Sequence, residues 1–352
     1  MEDRTIGLES QNNFRVNPIP QFAFHFHGWF NGLVALLVCA GTLPVVRFLA
    51  TRWQLHDLPG ELKIHTVPTP RLGGVSMGLA LVAGLSVGSP GLFVQALNVY
   101  IALLLLWCTS LVDDLKGLSP SIRLVAHCIA GLLVAQTQWG LRLFDKPLLD
   151  AAVTCIFVVL FINAFNFFDG ADGLASGVAA LISLGYVLLY TTRSATVSAA
   201  VAWSLLGTCI GFLLFNFPPA KIFMGDSGST VLGFLAAFLG LDFYRVHHAL
   251  GTNLLLPLVF AGLPLLDLVL AVFRRLRKRT SPFIGDRQHF YDLLQQRGWS
   301  ARPIALGSYL ATAALVVLGL WCDRLNPTLA FVALSLTFGS LFITAVRLGS
   351  LR

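Results

Sequence analysis

Charged residues are scarce in this sequence. Only 12% of its 352 residues are Asp, Glu, Lys or Arg, whereas 56% are hydrophobic, and the mean hydropathy is +0.77. Soluble globular domains carry about 25% charged residues, so this composition argues against a soluble enzyme and against a nucleic-acid-binding protein. The chain is therefore expected to be a membrane protein.

Cysteine is also sparse, and none of the six residues has the spacing of a zinc site or a disulfide framework. The N-terminal stretch is polar and lacks the basic start and the small-residue cleavage site of a signal peptide. We predict a retained polar tail, residues 1–28, followed by a single polytopic domain in the membrane, residues 29–352.

Apolar runs of roughly 17 to 23 residues recur along the whole chain. A helix of this length crosses about 30 Å of hydrocarbon, so we predict an all-α integral membrane protein with about 11 transmembrane helices, or 10 if one run does not span. The runs lie at residues 29–50, 72–89, 92–111, 121–138, 148–166, 173–190, 196–215, 229–244, 252–273, 303–321 and 329–346.

Most of the 24 Lys and Arg residues fall in one of the two alternating sets of loops between these runs. Because cytoplasmic loops are enriched in Lys and Arg, we place that set in the cytoplasm and the N-terminus outside. Four polar motifs then share the cytoplasmic face. They are "LVDDLKGLSP" (111–120), "NAFNFFDGADGLASG" (163–177), "FPPAKIFMGDSGST" (217–230) and "SPFIGDRQHFYDLL" (281–294).

The first motif contains two adjacent acids, Asp113 and Asp114, at the end of the third apolar run. Adjacent carboxylates repel each other, so the pair favours a nearby cation or hydrogen-bond donor. The alternative is a helix end that simply faces water.

The second motif spaces Asn163, Asn166 and Asp169 by three residues, which puts them on one side of a helix end. Two glycines follow and permit a sharp turn, and Asp172 is placed to cap the next helix. A plain polar turn is the alternative interpretation.

The third motif runs from Asn216 through a Pro-Pro break to Asp226, where a helix is expected to begin. Small residues at a helix N-terminus let backbone N–H groups approach a phosphate, and an Asp there can hold Mg²⁺. Asp226 as a simple helix cap is the alternative.

The fourth motif reads as a short amphipathic helix capped by Asp286, from which Arg287 and His289 can reach a diphosphate. Solvated side chains are the alternative for these two residues.

Two further features are left open. The proline-rich "HTVPTPRLGG" (65–74) is either a stiff connector or a source of anion contacts from His65 and Arg71. Asp267 is either a wall of the site or an ion-pair partner of Arg274.

In this order, the motifs resemble the polyprenyl-phosphate N-acetylhexosamine-1-phosphate transferases (glycosyltransferase family 4), closest in pattern to the WecA-type initiating enzymes. The resemblance extends from about His65 to about Trp299. It rests on "DD" (113–114), "NAFNFFDGADGLA" (163–175), "FMGDSGS" (223–229) and "DRQH" (286–289).

The resemblance implies a role for each matching residue. Asp226 corresponds to the ligand of Mg²⁺, which Mn²⁺ can replace, and Asp113, Asp114 and Asp169 correspond to acids of the catalytic centre. Phe223 corresponds to the aromatic residue that stacks on uracil. The residues assigned to substrate binding are Asn166, Asp172, Asn216, Phe223, Arg287, His289, Arg71 and Lys116.

The implied reaction transfers N-acetylhexosamine 1-phosphate, with N-acetylglucosamine as the expected sugar, from a UDP-sugar to polyprenyl (undecaprenyl) phosphate and releases UMP. It is the first membrane step of cell-envelope polysaccharide synthesis, on the cytoplasmic face of the plasma (inner) membrane, and a homodimer is compatible with it. The chain has Phe290, Tyr291 and Asp292 where relatives carry histidines. An MraY-like phospho-MurNAc-pentapeptide transferase and, from a different class, a membrane transporter are the alternatives.

Overall fold

The computed structural model describes residues 28–58, 60, 67–88, 96–191, 196–247, 252–281, 286–325, 327–347 and 349. All but the last residue of the predicted tail, and His65 of the proline-rich loop, lie outside the described residues.

Helices dominate the described part of the chain, which confirms the all-α class. They are α1 (Trp29–Arg52), α2 (Gly73–Gly88), α3 (Leu97–Lys116), α4 (Pro120–Ala135), α5 (Pro147–Phe168), α6 (Leu174–Thr191), α7 (Thr196–Asn216), α8 (Asp226–His247), α9 (Thr252–Phe260), α10 (Gly262–Arg277), α11 (Phe290–Gln296), α12 (Ala301–Cys322) and α13 (Pro327–Arg347). Two short strands, β1 (His56–Asp57) and β2 (Thr69–Pro70), pair antiparallel.

Each predicted apolar run coincides with one helix or, for 252–273, with the pair α9 and α10. Within the described ranges, seven helices are long and apolar enough to cross a membrane, or eight if the bent pair is one span. The helices α2, α4 and α6 are apolar but shorter. The structure therefore confirms a polytopic membrane protein, whereas the number of about 11 spans and their orientation stay predictions.

The helices α9 and α10 meet at a bend of 83°. Pro264 lies in the first turn of α10. A proline ring clashes with the carbonyl group four residues earlier, and α9 accordingly ends at Phe260. Asp267 and Arg274 on α10 contact the loop that carries the fourth polar motif.

The buried helix α8 positions the other three motifs. It packs against α2, α3, α5, α6, α7 and α9. A side chain at Gly233 on α8 would overlap the backbone of Ile162 on α5, so the two helices approach closely. This contact places the first residue of α8, Asp226, beside Asn166 in the last turn of α5.

A fully buried acid, Asp242, lies near the other end of α8, and sequence analysis did not single it out. Its carboxylate accepts hydrogen bonds from Trp139 Nε1 at 2.7 Å, from Arg245 Nη2 at 2.7 Å and from the Ser198 hydroxyl. We expect Asp242→Ala to lower the free energy of unfolding by about 1 to 3 kcal/mol for each buried donor that it leaves unpaired, the Trp139 indole and the Ser198 hydroxyl. Thermal unfolding in detergent measures this loss, and adding Ser198→Ala should restore part of it. A double variant as unstable as Asp242→Ala would contradict this explanation.

Candidate active site

A polar cavity of about 410 Å³ lies where the ends of α3, α5 and α8 meet. Nine residues that the sequence analysis assigned to the site line this cavity together: Arg71, Asp113, Asp114, Asn166, Asp169, Asp172, Asn216, Phe223 and Asp226. Three of the four polar motifs therefore converge on one site.

Asp114 binds the N-terminus of α8 from another helix. Its Oδ1 accepts a hydrogen bond from the backbone N–H of Asp226 at 2.8 Å. Its Oδ2 accepts from the backbone N–H of Ser227 at 3.0 Å and from the Ser227 hydroxyl at 2.6 Å. The first N–H groups of a helix have no partner within the helix and favour a negative charge. Asp114 thus orients the helix whose first side chain is Asp226.

Position 225, directly before α8, requires a glycine for two reasons. Its φ angle is +70°, in the region that favours glycine. A side chain at this position would also overlap the Asp114 carboxylate. Asp113 and Asp114 are 9% and 6% exposed, so the alternative of a helix end facing water is wrong.

Arg123, in the first turn of α4, is a site residue that sequence analysis missed. Its Nη1 lies 3.1 Å from Asp113 Oδ2 and 2.9 Å from Asp226 Oδ2, and it lines the cavity. Its position ten residues after Asp113, at the start of the next helix, was the available signal. Arg123 was instead counted only among the charges that set the orientation.

Asp169 ends α5 and lies on the cavity wall. Burial, together with the neighbouring carboxylates of Asp226, Asp114 and Asp172, raises the pKa of Asp169 well above its usual range. A raised pKa makes the deprotonated carboxylate a stronger base than an ordinary aspartate.

Two polar side chains join the α5–α6 turn to the α7–α8 loop. Asn216 accepts a hydrogen bond from the Gly173 backbone N–H at 2.9 Å and donates to the Ile222 carbonyl at 2.9 Å. Asp172, which was expected to cap a helix, accepts from the Ala220 backbone N–H at 2.9 Å. These residues therefore fix the shape of the cavity as well as lining it.

Backbone hydrogen bonds hold Arg71 and Phe223 on one wall of the cavity. The Phe223 N–H donates to the Pro70 carbonyl, and the Phe223 carbonyl accepts from the Gly73 N–H, both at 2.9 Å. The Phe223 ring is partly exposed at the cavity, where it can stack on a planar base.

Three residues assigned to substrate binding do not line this cavity: Lys116, Arg287 and His289. Lys116 is exposed at the end of α3. His289 is buried at the start of α11, where its Nδ1 lies 2.6 Å from Asp267 Oδ2. Arg287 Nε lies 3.5 Å from Asp292 Oδ1. The structure thus places the fourth motif beside α10.

The expected cap of α11 is wrong, and Asp267 forms an ion pair with an unexpected partner. The residue that caps α11 is His289, not Asp286. Asp286 accepts two hydrogen bonds from Arg274, at 2.8 Å and 2.9 Å, and one from Arg275 at 3.2 Å. The ion pairs that the structure shows join Asp267 to His289 and Arg274 to Asp286. The reason is that the loop folds back onto α10, which sequence spacing does not reveal.

The His289–Asp267 contact predicts that the stability of the loop helix α11 depends on pH. Burial lowers the pKa of His289, but the carboxylates of Asp267, Asp286 and Asp292 outweigh this effect and raise it above its ordinary value of 6.5. A raised pKa in the folded state stabilises the fold fully below the unfolded pKa, and this stabilisation is lost as the pH rises through the folded pKa. We expect backbone amides of 289–296 to exchange hydrogen faster above that pH, after correction for intrinsic exchange. Asp267→Asn should remove the dependence, and an unchanged profile in that variant would contradict the pairing.

The cavity offers carboxylate oxygens, which are the ligands that Mg²⁺ prefers. In the part of the chain that the structure describes, no three His, Cys, Asp or Glu side chains form a metal-binding cluster. Mg²⁺ often takes only one or two carboxylates and completes its ligands with water and substrate phosphates. Asp113 Oδ2 and Asp226 Oδ2 both lie close to one cationic nitrogen of Arg123. These two carboxylates are therefore the residues that would hold Mg²⁺.

The part of the chain that forms this site matches a known protein family. The sequence profile of "Glycosyl transferase family 4" matches residues 96–244, a segment that contains all five acidic residues of the predicted site. A decaprenyl-phosphate N-acetylglucosaminephosphotransferase of Mycobacterium tuberculosis is 32% identical over 322 residues, which cover 79% of this chain and 78% of the relative.

Two enterobacterial relatives are also similar, and both are named undecaprenyl-phosphate alpha-N-acetylglucosaminyl 1-phosphate transferase. The protein of Yersinia pestis is 30% identical over 307 residues, with 83% of each chain covered. That of Salmonella typhimurium is 28% identical over 297 residues, with 79% of each chain covered.

Proposed function

Because this chain belongs to glycosyl transferase family 4, we propose that it transfers N-acetylglucosamine 1-phosphate from UDP-N-acetylglucosamine to a polyprenyl phosphate and releases UMP. The observation that carries the proposal is the convergence of Asp113, Asp114, Asp169 and Asp226 with Arg123 in one cavity at the helix ends.

The position of this cavity suits the two substrates. A lipid phosphate lies at the membrane surface, and a nucleotide sugar arrives from the cytosol, so their phosphates meet at the ends of membrane helices. The orientation derived from Lys and Arg supports a cavity on the cytoplasmic face of the plasma membrane. Carboxylates at these helix ends can bind a cation that in turn binds a phosphate, while the apolar helices remain in the hydrocarbon.

In the proposed reaction, an oxygen of the polyprenyl phosphate attacks the β-phosphorus of the UDP-sugar. The bond between this phosphorus and the bridging oxygen breaks, and UMP leaves. A phosphate monoester has a second pKa of about 6, so the nucleophile is largely dianionic at pH 7. Asp169, on the cavity wall, is placed to accept the proton of the remaining monoanion.

The residues around the cavity supply charge and orientation, which phosphoryl transfer requires more than covalent help. Mg²⁺ held by Asp113 and Asp226 would neutralise negative charge on the diphosphate. The Arg123 guanidinium pairs with the same two carboxylates in this structure, so it would give up this position to the metal and turn to the phosphates. Phe223 stacks on the uracil ring, and Arg71 contacts a phosphate oxygen.

The alternatives receive less support. A transporter would use Asp267 as a charge within the membrane, but this carboxylate pairs with His289 of a loop helix. A muramyl-pentapeptide donor is disfavoured because the relatives described above are named for N-acetylglucosamine.

The experiment that tests the proposal uses the purified protein, UDP-N-acetylglucosamine, undecaprenyl phosphate and Mg²⁺. We expect UMP to be released only when all of these components are present and to disappear when the metal is chelated. Release of UMP without the lipid would indicate a hydrolase, and release of UDP would indicate transfer of the sugar without its phosphate. Either product would contradict the proposed function.

A further inference from the structure

A tyrosine of the loop helix α11 lies behind one wall of the cavity. That wall is the turn of residues 169–173, between α5 and α6. Tyr291 is only 5% exposed, and its hydroxyl donates a hydrogen bond to the Phe167 carbonyl at 3.0 Å. A side chain at Gly170 would overlap this hydroxyl, so the phenol is in direct contact with the turn. Tyr291 itself does not line the cavity.

A second tyrosine contacts the same turn from another helix. Tyr309 on α12 donates a hydrogen bond from its hydroxyl to the Gly173 carbonyl at 2.6 Å. Its ring packs so closely against Gly177, in the first turn of α6, that a side chain there would overlap it. Tyr309 does not line the cavity either. Two phenols from separate elements therefore contact the two ends of one turn.

These contacts matter because of what the other side of the turn carries. Asp169 and Asp172 lie on the cavity side of residues 169–173. The last carbonyl groups of a helix have no partner within the helix, and Tyr291 binds one of them at the end of α5. The hydrogen bonds from both phenols thus restrict the turn that places the two carboxylates.

The loop helix is itself anchored, so Tyr291 is held in place. Its ring stacks on the His289 imidazole, with ring centroids 5.3 Å apart and an interplanar angle of 3°. His289 is paired with Asp267 on α10. A continuous set of contacts therefore runs from α10 through α11 to the turn at the cavity.

We propose that Tyr291 and Tyr309 are positioning residues for the transfer reaction, acting from behind the 169–173 turn to hold Asp169 and Asp172 where the nucleotide sugar binds. This inference rests on the proposed function. It assigns Tyr291 to the shape of the donor site rather than to contact with the sugar. Its effect is therefore common to donors that share the UDP group.

The test compares three variants that each remove one phenolic hydroxyl. We expect Tyr291→Phe and Tyr309→Phe each to lower kcat/KM about tenfold, which corresponds to one hydrogen bond. The factor should be the same for UDP-N-acetylglucosamine and UDP-N-acetylgalactosamine. Tyr190→Phe is the matched control, because the buried Tyr190 hydroxyl donates to the Leu239 carbonyl at 2.7 Å, within the membrane domain and away from the cavity lining.

All three variants should lose a similar amount of thermal stability, but only the two at the turn should lose activity. If Tyr291→Phe and Tyr309→Phe keep the kcat/KM of Tyr190→Phe, or if their losses differ between the two donors, the inference is overturned while the proposed function stands. If the wild-type protein releases no UMP in the same assay, the proposed function fails and this inference fails with it.

Discussion

Replacing Asp226 by asparagine is expected to reduce the rate of UMP release by about three orders of magnitude, the scale of losing one preorganised group that stabilises charge in the transition state. An amide is a poor ligand for Mg²⁺, and its NH₂ group would face the Arg123 guanidinium or the Asn166 amide, both of which donate to the present carboxylate. The rate should be measured over a range of Mg²⁺ concentrations.

A matched control for Asp226→Asn is Asp323→Asn, which makes the same change at the end of α12, away from the cavity. Both variants should insert into the membrane and elute from a sizing column as the wild type does. Wild-type turnover of Asp226→Asn at saturating Mg²⁺ would remove this residue from the metal site.

The second large effect is expected at the adjacent acids. Asp113→Asn and Asp114→Asn should each lower kcat by two orders of magnitude or more, on the order of the loss of one charge-stabilising group, with a smaller change in KM for the UDP-sugar. The structure separates their causes. In Asp113→Asn, the amide oxygen can keep the hydrogen bond from the Leu118 backbone N–H, but the ion pair with Arg123 is lost. Asp114 accepts backbone N–H groups of α8 on both of its oxygens, so an amide at this position can accept only one of them.

This difference predicts a difference in stability. Asp114→Asn should lower Tm more than Asp113→Asn, because a buried N–H at the start of α8 is left facing an NH₂ group and an unmade buried hydrogen bond costs about 1 to 3 kcal/mol. Ser227→Ala is the milder control, since it removes one of the three hydrogen bonds that Asp114 accepts. A normal kcat in either asparagine variant would show that this carboxylate only stabilises the helix ends and takes no part in the reaction.

The helices could be predicted from the sequence because the membrane imposes their length. Each apolar run coincides with a helix or a bent helix pair, and Pro264 marks the bend within 252–273. The cavity could be predicted in outline for a related reason. Polar residues that follow apolar runs lie at helix ends, and helix ends on the same face of a bundle are close in space.

Contacts made by long side chains and by loop docking could not be predicted in this way. Arg123 reaches from α4 to acids on α3 and α8, and its sequence position does not show which way it extends. His289 was expected to meet a diphosphate, yet it is buried against Asp267. That contact depends on the packing of α11 on α10, since nothing in the spacing of the two residues, 22 apart, brings them together.

Asp242 illustrates a third limit. It lies inside the run predicted at 229–244, which was interpreted only as a span, although an acid within a membrane helix is costly and needs a partner. Its partners are Trp139 and Ser198 from other elements, together with Arg245 one turn further along α8. Arg245 was the available signal, because residues three apart on a helix are neighbours.

The most direct measurement of the central claim follows the β-phosphate of the donor. UDP-N-acetylglucosamine labelled with ³²P at this phosphate is incubated with the protein, undecaprenyl phosphate and Mg²⁺, and the lipid is extracted into organic solvent. The account predicts that the label enters the lipid fraction in a one-to-one ratio with UMP released into water. Label that stays in water as UDP while the sugar enters the lipid fraction would contradict it, because the protein would then transfer the sugar without its phosphate.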